Sequence, residues 1–150
     1  MTGSVTTVDI AMSRESIATN MVGICMAVFT FLLFFVYGQV GAGVVGSLLV
    51  QGSLGLTVAS TFAFAVSAFY YDCLIVDIHA GREARAGVHY ERGELFLMLG
   101  VAFLTLTPSL SLLSLSLNVV ALFSIILWIA FLAFSYVERK KTRAGRAPAP

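Results

Sequence analysis

Charged side chains are scarce in this sequence of 150 residues, and their scarcity excludes most kinds of soluble protein. Asp, Glu, Lys and Arg together make up 11% of the residues, whereas hydrophobic residues make up 59%. In soluble domains about a quarter of the residues are charged. So few charges cannot cover so much apolar surface in water, and the excess is expected to face lipid.

The sequence has few cysteines and histidines and a small net charge. Each of these features argues against a particular kind of site or partner. Cys25 and Cys73 are far apart and form no CxxC motif, so we expect neither a disulfide framework nor a structural zinc site. A net charge of +1 predicts no nucleic-acid partner. No signal-peptide pattern precedes the first apolar run, which we expect to be retained. We predict no cofactor, since no histidine lies in an apolar run where it could bind haem.

Four long runs contain no Asp, Glu, Lys, Arg or His. They extend over residues 17–37, 48–71, 95–113 and 117–136. Each has about 20 residues, the length with which an α-helix crosses about 30 Å of hydrocarbon. Because backbone groups in lipid must bond within their own segment, each run is predicted to be a helix. The predicted fold is an all-α, polytopic, four-transmembrane-helix bundle over residues 1–137, with a basic disordered tail at 138–150.

The basic residues are confined to three segments of the chain. All nine lie in the N-terminal segment, in the connection at 72–94 or in the C-terminal tail. The connection Gly38–Ser47 and the turn near Ser114–Ser116 contain none. Lysine and arginine of short loops remain on the cytoplasmic side of a membrane. We therefore predict a multi-pass protein of the cell (inner or plasma) membrane, with both termini and the 72–94 connection in the cytoplasm.

Small and hydroxyl-bearing side chains recur at helical spacing in the second and third apolar runs. The predicted stripe consists of Ser53, Thr57, Thr61, Gly100, Thr107, Pro108, Ser111 and Ser114. In lipid, small residues let helices approach closely, and hydroxyl groups bond across the contact. We favour helix–helix contacts, within the bundle or between copies, and the alternative is a hydroxyl-lined pore. Pro108 is expected to kink its helix, because proline lacks the backbone N–H.

Most ionisable groups lie in the connection at 72–94, from which we select four candidate functional residues. These are Asp72, Asp77, His79 and Arg82. An acid inside the bilayer is costly and therefore suggests a role, which for Asp72 would be proton coupling. We favour the alternative, that Asp72 lies at headgroup level and pairs with an arginine of the same connection. His, Asp and Glu also suit zinc or manganese, but HxxxH and HExxH spacings are absent, so we predict no metal.

Three functions remain open from the sequence. The first is a homo-oligomeric channel or small transporter. Its conducting path would form between copies of the chain, because the four helices of one copy enclose little space. The second is a non-catalytic subunit of a larger membrane complex, with the stripe and the basic tail binding a membrane-protein partner or anionic lipids. The third is a membrane-embedded enzyme that acts at the cytoplasmic face through Asp72, Asp77 and His79. The absence of GxSxG and phosphate-binding loop motifs makes an enzyme the less favoured choice.

Overall fold

The computed structural model describes residues 2–40 and 47–144, together with the side chains of 8–37, 39–40, 48–134 and 136–137. Its elements are α1 (Thr2–Phe31), a π-helical turn (Leu32–Val36), α2 (Tyr37–Val40), α3 (Ser47–His79), α4 (Glu83–Ser114) and α5 (Asn118–Ala144). α1, the π-helical turn and α2 follow one another without a break. The described residues are helical apart from two tight turns, which confirms the all-α prediction.

Three helical stretches are long and apolar enough to cross a membrane. They are Val8–Val36, Leu48–His79 and Glu83–Ser114, whereas the apolar part of α5, Asn118–Phe134, is shorter. α3 and α4 extend well into the connection predicted at 72–94, so that only residues 80–82 form the turn between them. α5 continues to Ala144. The rest of the predicted tail and residues 41–46 of the first connection lie outside the described residues.

Neighbouring helices of the bundle run antiparallel. Later residues of α3 bond successively earlier residues of α4, and later residues of α5 likewise bond earlier residues of α4. α1 is also antiparallel to α3, because Ala11 near the beginning of α1 lies beside Tyr71 and Leu74 near the end of α3. The beginning of α1, the α3–α4 turn and the end of α5 therefore lie at one end of the bundle.

The core is shared by α1, α3 and α4. Its three layers, starting at the α3–α4 turn, contain Ala11, Tyr71, Leu74 and Ala86, then Ala18, Cys25, Phe64 and Leu97, and finally Leu32, Val36 and Val50. Side chains that point away from this core are as apolar as those within it: Leu48 is 81% exposed and Phe62 is 73% exposed. An outer surface of this kind is suited to lipid rather than water.

α5 lies outside this shared core. Among the described elements it contacts α4 alone. Trp128 of α5 donates from Nε1 to the carbonyl oxygen of Ala102 at 2.9 Å, and the hydroxyl groups of Ser109 and Ser124 lie 2.8 Å apart. Beside these contacts is a cleft of about 220 Å³ whose lining includes Trp128 and Ser124. Three helices thus build the compact unit, and the fourth is held to one side of it.

The α3–α4 turn ends α3 at a glycine in the left-handed region. Gly81 has φ of 70°, which glycine adopts without the steric cost that a Cβ atom brings. The Gly81 N–H donates to the carbonyl of Ile78 at 3.1 Å, and the Arg82 N–H donates to the carbonyl of Asp77 at 2.9 Å. These two bonds form a Schellman motif, which satisfies carbonyl groups at the end of a helix.

The α4–α5 turn uses the same motif with a serine in place of the glycine. Ser116 has φ of 60°. Its N–H donates to the carbonyl of Leu113, and the Leu117 N–H donates to the carbonyl of Leu112, both at 3.0 Å. Because Ser116 carries a Cβ atom, this turn includes a steric cost that the first turn avoids.

The two turns predict stability changes of opposite sign. Gly81→Ala should lower the free energy of unfolding by about 1 kcal/mol, and Ser116→Gly should raise it by a few tenths to about 1 kcal/mol. Reversible unfolding in mixed micelles of a mild detergent and dodecyl sulfate measures both. Changes of the same sign in the two variants would contradict the role of the left-handed residue.

Candidate functional site

A buried carboxylate at the end of α3 is the centre of the charged cluster. Asp77 is only 5% exposed, although it lies three residues from the turn. Its Oδ1 atom is 2.7 Å from the terminal guanidinium nitrogen of Arg82. Since the Schellman motif already bonds the Arg82 N–H to the Asp77 carbonyl, the backbone and the side chains join the same two residues. The turn itself therefore supplies the cation that a buried carboxylate requires.

The second oxygen of Asp77 faces a histidine of α4. His89 lies about two helical turns after Arg82, which places it on the same side of α4. Its Nε2 atom is 3.3 Å from Oδ2 of Asp77. One carboxylate thus holds the ends of α3 and α4 together through two different partners. We define the charged cluster as Asp77, Arg82 and His89.

An aromatic wall closes one side of the charged cluster. The ring of Tyr70 lies 5.8 Å from the ring of His89 and stacks on Phe96 at the same centroid distance. The guanidinium carbon of Arg92 lies 5.9 Å from the Tyr70 ring centre, which is within the range of a cation–π contact. These rings restrict the access of water to His89, whose side chain is 26% exposed.

A second polar contact joins all three core helices near the same end. The hydroxyl group of Tyr71 donates to Oε1 of Glu94 at 3.0 Å, and Arg14 of α1 lies 3.5 Å from the same oxygen. Tyr71 is fully buried. A phenol that bonds a carboxylate in this position fixes α1 to the α3–α4 pair at the level of the charged cluster.

The predicted stripe of small and hydroxyl side chains lies largely at the α3–α4 contact. Ser53, Thr57, Gly100, Thr107 and Ser114 are buried, Thr61 and Ser111 are half-buried, and Pro108 is exposed. The hydroxyl groups of Ser53 and Ser111 lie 3.3 Å apart, one on each helix. Several of the others bond a carbonyl of their own helix, one turn earlier.

Two serines of α3 outside that list donate hydrogen bonds to the backbone of α4. Ser60 donates to the carbonyl of Gly100 at 2.7 Å, and Ser67 donates to the carbonyl of Gly93 at 2.8 Å. Each glycine also lies against an aromatic ring of α3, namely Phe64 for Gly100 and Tyr71 for Gly93. An aromatic ring and a hydroxyl group of α3 therefore contact the backbone of α4 at each of these two glycines, as expected for helix packing in lipid.

These two bonds predict modest and separable losses of stability. Ser60→Ala and Ser67→Ala should each lower the free energy of unfolding by about 0.5 to 1.5 kcal/mol, which is the range for hydrogen bonds between helices in a membrane. Ser16→Ala, at an exposed position of α1, is the matched control and should change little. Unfolding in mixed micelles measures all three, and equal stability of Ser60→Ala and the control would contradict the assignment.

Of the four candidate residues, the structure brings two together and leaves two apart. Asp77 and Arg82 are in direct contact, whereas Asp72 and His79 are exposed. Arg82, one of the arginines proposed to pair with Asp72, pairs with Asp77 instead. The Nδ1 atom of His79 bonds the carbonyl of Ile75 in its own helix at 2.8 Å. The cluster therefore lies on the buried side of α3, away from both exposed candidates.

His89, Tyr70, Glu94 and Arg14 are site residues that were not among the four candidates selected from the sequence. Folding the chain back at Gly81 would have placed the first turns of α4, and with them His89, beside Asp77. Nothing in the sequence points to Arg14, because its contact depends on how α1 packs. Within the described part of the chain, no group of three or more His, Cys, Asp or Glu residues is arranged to hold a metal ion.

The chain matches no protein-family model, no curated protein and no solved structure. The geometry of this chain therefore carries the functional argument.

Proposed function

We propose that this protein spans the cell membrane four times, with both termini and the α3–α4 turn in the cytoplasm. Within the described residues, the basic ones belong to the beginning of α1, the α3–α4 turn with the first part of α4, and the end of α5, and this grouping at one end of the bundle supports the topology through the positive-inside rule. Within the described side chains the apolar part of α5 extends over Asn118–Phe134, and the charge-free run of the sequence continues to Tyr136, which is about the length that a spanning helix needs. Reporter fusions after Pro150 and within residues 41–46 should report opposite sides; the same side for both would refute the topology.

We further propose that the working unit is a homo-oligomer that acts as a channel or small transporter. The observation that supports it is the way α3 and α4 use their hydroxyl groups. Because those groups bond the facing helix or their own carbonyls, a single chain offers them to no permeating solute. A polar path would have to form between copies. α5 favours such assembly, since only one side of it is covered by this chain.

The test combines native mass with flux. Purified chain in a mild detergent should have the mass of a defined oligomer, and liposomes that contain it should leak ions or small solutes faster than empty ones. Phe123→Ala on the exposed side of α5 should weaken the oligomer and reduce flux. Phe62→Ala, at a comparably exposed site on α3, is the matched control. A monomer without flux would refute the proposal.

Asp72 has a separate test within the same assay. If Asp72 couples transport to protons, Asp72→Asn should abolish the effect of a pH gradient on flux. If Asp72 instead lies at headgroup level, flux should stay unchanged. The Glu83→Gln variant, which alters another exposed acid, is the control for a general loss of surface charge.

Two alternatives rest on specific features. A non-catalytic subunit of a larger membrane complex is favoured by the uncovered side of α5, and isolation from intact membranes would then recover a stoichiometric partner.

A membrane-embedded enzyme at the cytoplasmic face is favoured by the contact between Asp77 and His89, since a carboxylate can orient a histidine that acts as a base. Flux in the absence of partners would exclude the first and disfavour the second.

A further inference from the structure

The two histidines of the chain are held by acceptors that require opposite positions of the ring proton. Nδ1 of His79 lies 2.8 Å from the carbonyl oxygen of Ile75. A carbonyl only accepts, so Nδ1 of His79 carries the hydrogen. Nε2 of His89 lies 3.3 Å from an oxygen of the Asp77 carboxylate. An ionised carboxylate also only accepts, so neutral His89 carries its hydrogen on Nε2 and has a lone pair on Nδ1.

The lone pair of His89 lies in a closed part of the structure. Nδ1 is buried and has no hydrogen-bond partner among the described residues. Buried polar atoms without partners are rare in folded proteins and call for an explanation. A proton on Nδ1 would create an imidazolium whose Nε2–H still faces Asp77. Its new Nδ1–H, however, would have no acceptor within this packing.

Asp77 and Tyr70 contact His89 directly, and further charged and titratable groups lie near these two at the same end of the bundle. Asp77 and Tyr70 belong to α3, Arg82 to the turn and Arg92 to α4. On the side toward α1, Arg14 pairs with Glu94, which also accepts from Tyr71, and the Tyr71 ring lies 6.3 Å from that of Tyr90. Because Arg82 already pairs with Asp77, a charged His89 would have to share this single carboxylate.

We propose that His89 and Asp77 form a proton-binding dyad, and that uptake of a proton on Nδ1 of His89 loosens the α3–α4 turn. The proton comes from a hydronium ion of the acidified solvent: one N–H bond forms at the Nδ1 lone pair as one O–H bond of hydronium breaks, and a water molecule is left. The new donor reaches water only if the first turns of α4 move away from α3. Arg82 can yield, since its side chain is 47% exposed. This property goes beyond the proposed transport function and does not depend on it.

Nitrogen NMR of the full chain, with ¹⁵N-labelled histidine and in detergent micelles, tests the proton position directly. Only two histidines contribute signals, and His79→Gln leaves His89 alone. Near pH 8 we expect His89 as the Nε2–H form and His79 as the Nδ1–H form. On acidification, Nδ1 of His89 should gain a proton while Nε2 keeps its own, so that both nitrogens give the signal of a protonated ring nitrogen.

Amide hydrogen exchange tests the movement. When His89 is protonated, the amides of residues 80–83 should exchange about tenfold faster than in His89→Gln at the same pH. This is the increase in exchange rate expected when one protecting hydrogen bond is lost. The His79→Gln variant should retain the difference. The proposal is overturned if His89 is found as the Nδ1–H form, if it does not titrate, or if exchange at the turn is equal in His79→Gln and His89→Gln. The labelled parent chain supplies the first two results even if a variant fails to fold.

Discussion

Gly100→Ala is expected to lower the free energy of unfolding by about 2 kcal/mol, through overpacking of a filled site. A Cβ atom at this position would lie 2.7 Å from Cε1 and 2.8 Å from Cδ1 of Phe64. Phe64 is fully buried, so its ring has no free space to move into. The helices would have to separate, and the hydrogen bond from Ser60 to the Gly100 carbonyl would lengthen.

Another glycine provides a matched control for this change. Gly55 of α3 is exposed, and a Cβ atom there would meet nothing within 4 Å. Gly55→Ala should therefore leave stability unchanged or raise it by up to about 1 kcal/mol, as alanine favours a helix. Combining Gly100→Ala with Phe64→Leu should recover part of the loss. Equal stability of Gly100→Ala and Gly55→Ala would contradict the close contact between α3 and α4 at Gly100.

Loss of Arg82 is the second large effect that we expect. Arg82→Gln should lower the free energy of unfolding by about 2 kcal/mol, because it leaves the buried Asp77 carboxylate without a cation and with the Nε2–H of His89 as its remaining partner. The figure is below that for a fully buried pair, since Arg82 is about half exposed and its interaction is screened by water. Asp77→Asn should cost less, about 1 kcal/mol, because the freed guanidinium can turn to solvent.

The order of these losses is the critical measurement. Unfolding in mixed micelles should rank Arg82→Gln as the least stable variant, followed by Asp77→Asn and then by Arg85→Gln, an exposed arginine that serves as control. The double variant Asp77→Asn with Arg82→Gln should lose less than the two single variants added together, since the residues are in contact. Equal losses for Arg82→Gln and Arg85→Gln would show that the Asp77 pair contributes nothing to stability.

The helices could be predicted in number and type from the sequence, but their ends could not. A charged residue marks where an apolar run stops, whereas α3 continues past Asp72 to His79 and α4 begins at Glu83. Helices do not end where hydrophobicity ends, because Asp77 and His89 can be accommodated once they pair with each other. α3 ends at the turn that contains Gly81, since glycine suits a left-handed residue.

The candidate site was predictable only in part. Asp77 and Arg82 were selected because ionisable groups concentrate in that connection. His89 and Glu94 depend on which side of α4 meets α3, and Arg14 depends on the packing of α1. In water an amphipathic pattern would reveal the inward side of a helix. Here both sides are apolar, so the inward side is decided by where small residues allow close approach.

By itself the sequence determined the all-helical character, the apolar outer surface and the confinement of the basic residues to three segments outside the apolar runs. These depend on run length and composition, which are local and add up along the chain. Only the tertiary structure decided that α5 lies outside the core, that Ser60 and Ser67 bond glycine carbonyls, and that Asp77 joins Arg82 to His89. Such contacts follow from the rotation of each helix against its neighbour, and steric fit between residues distant in the sequence determines that rotation.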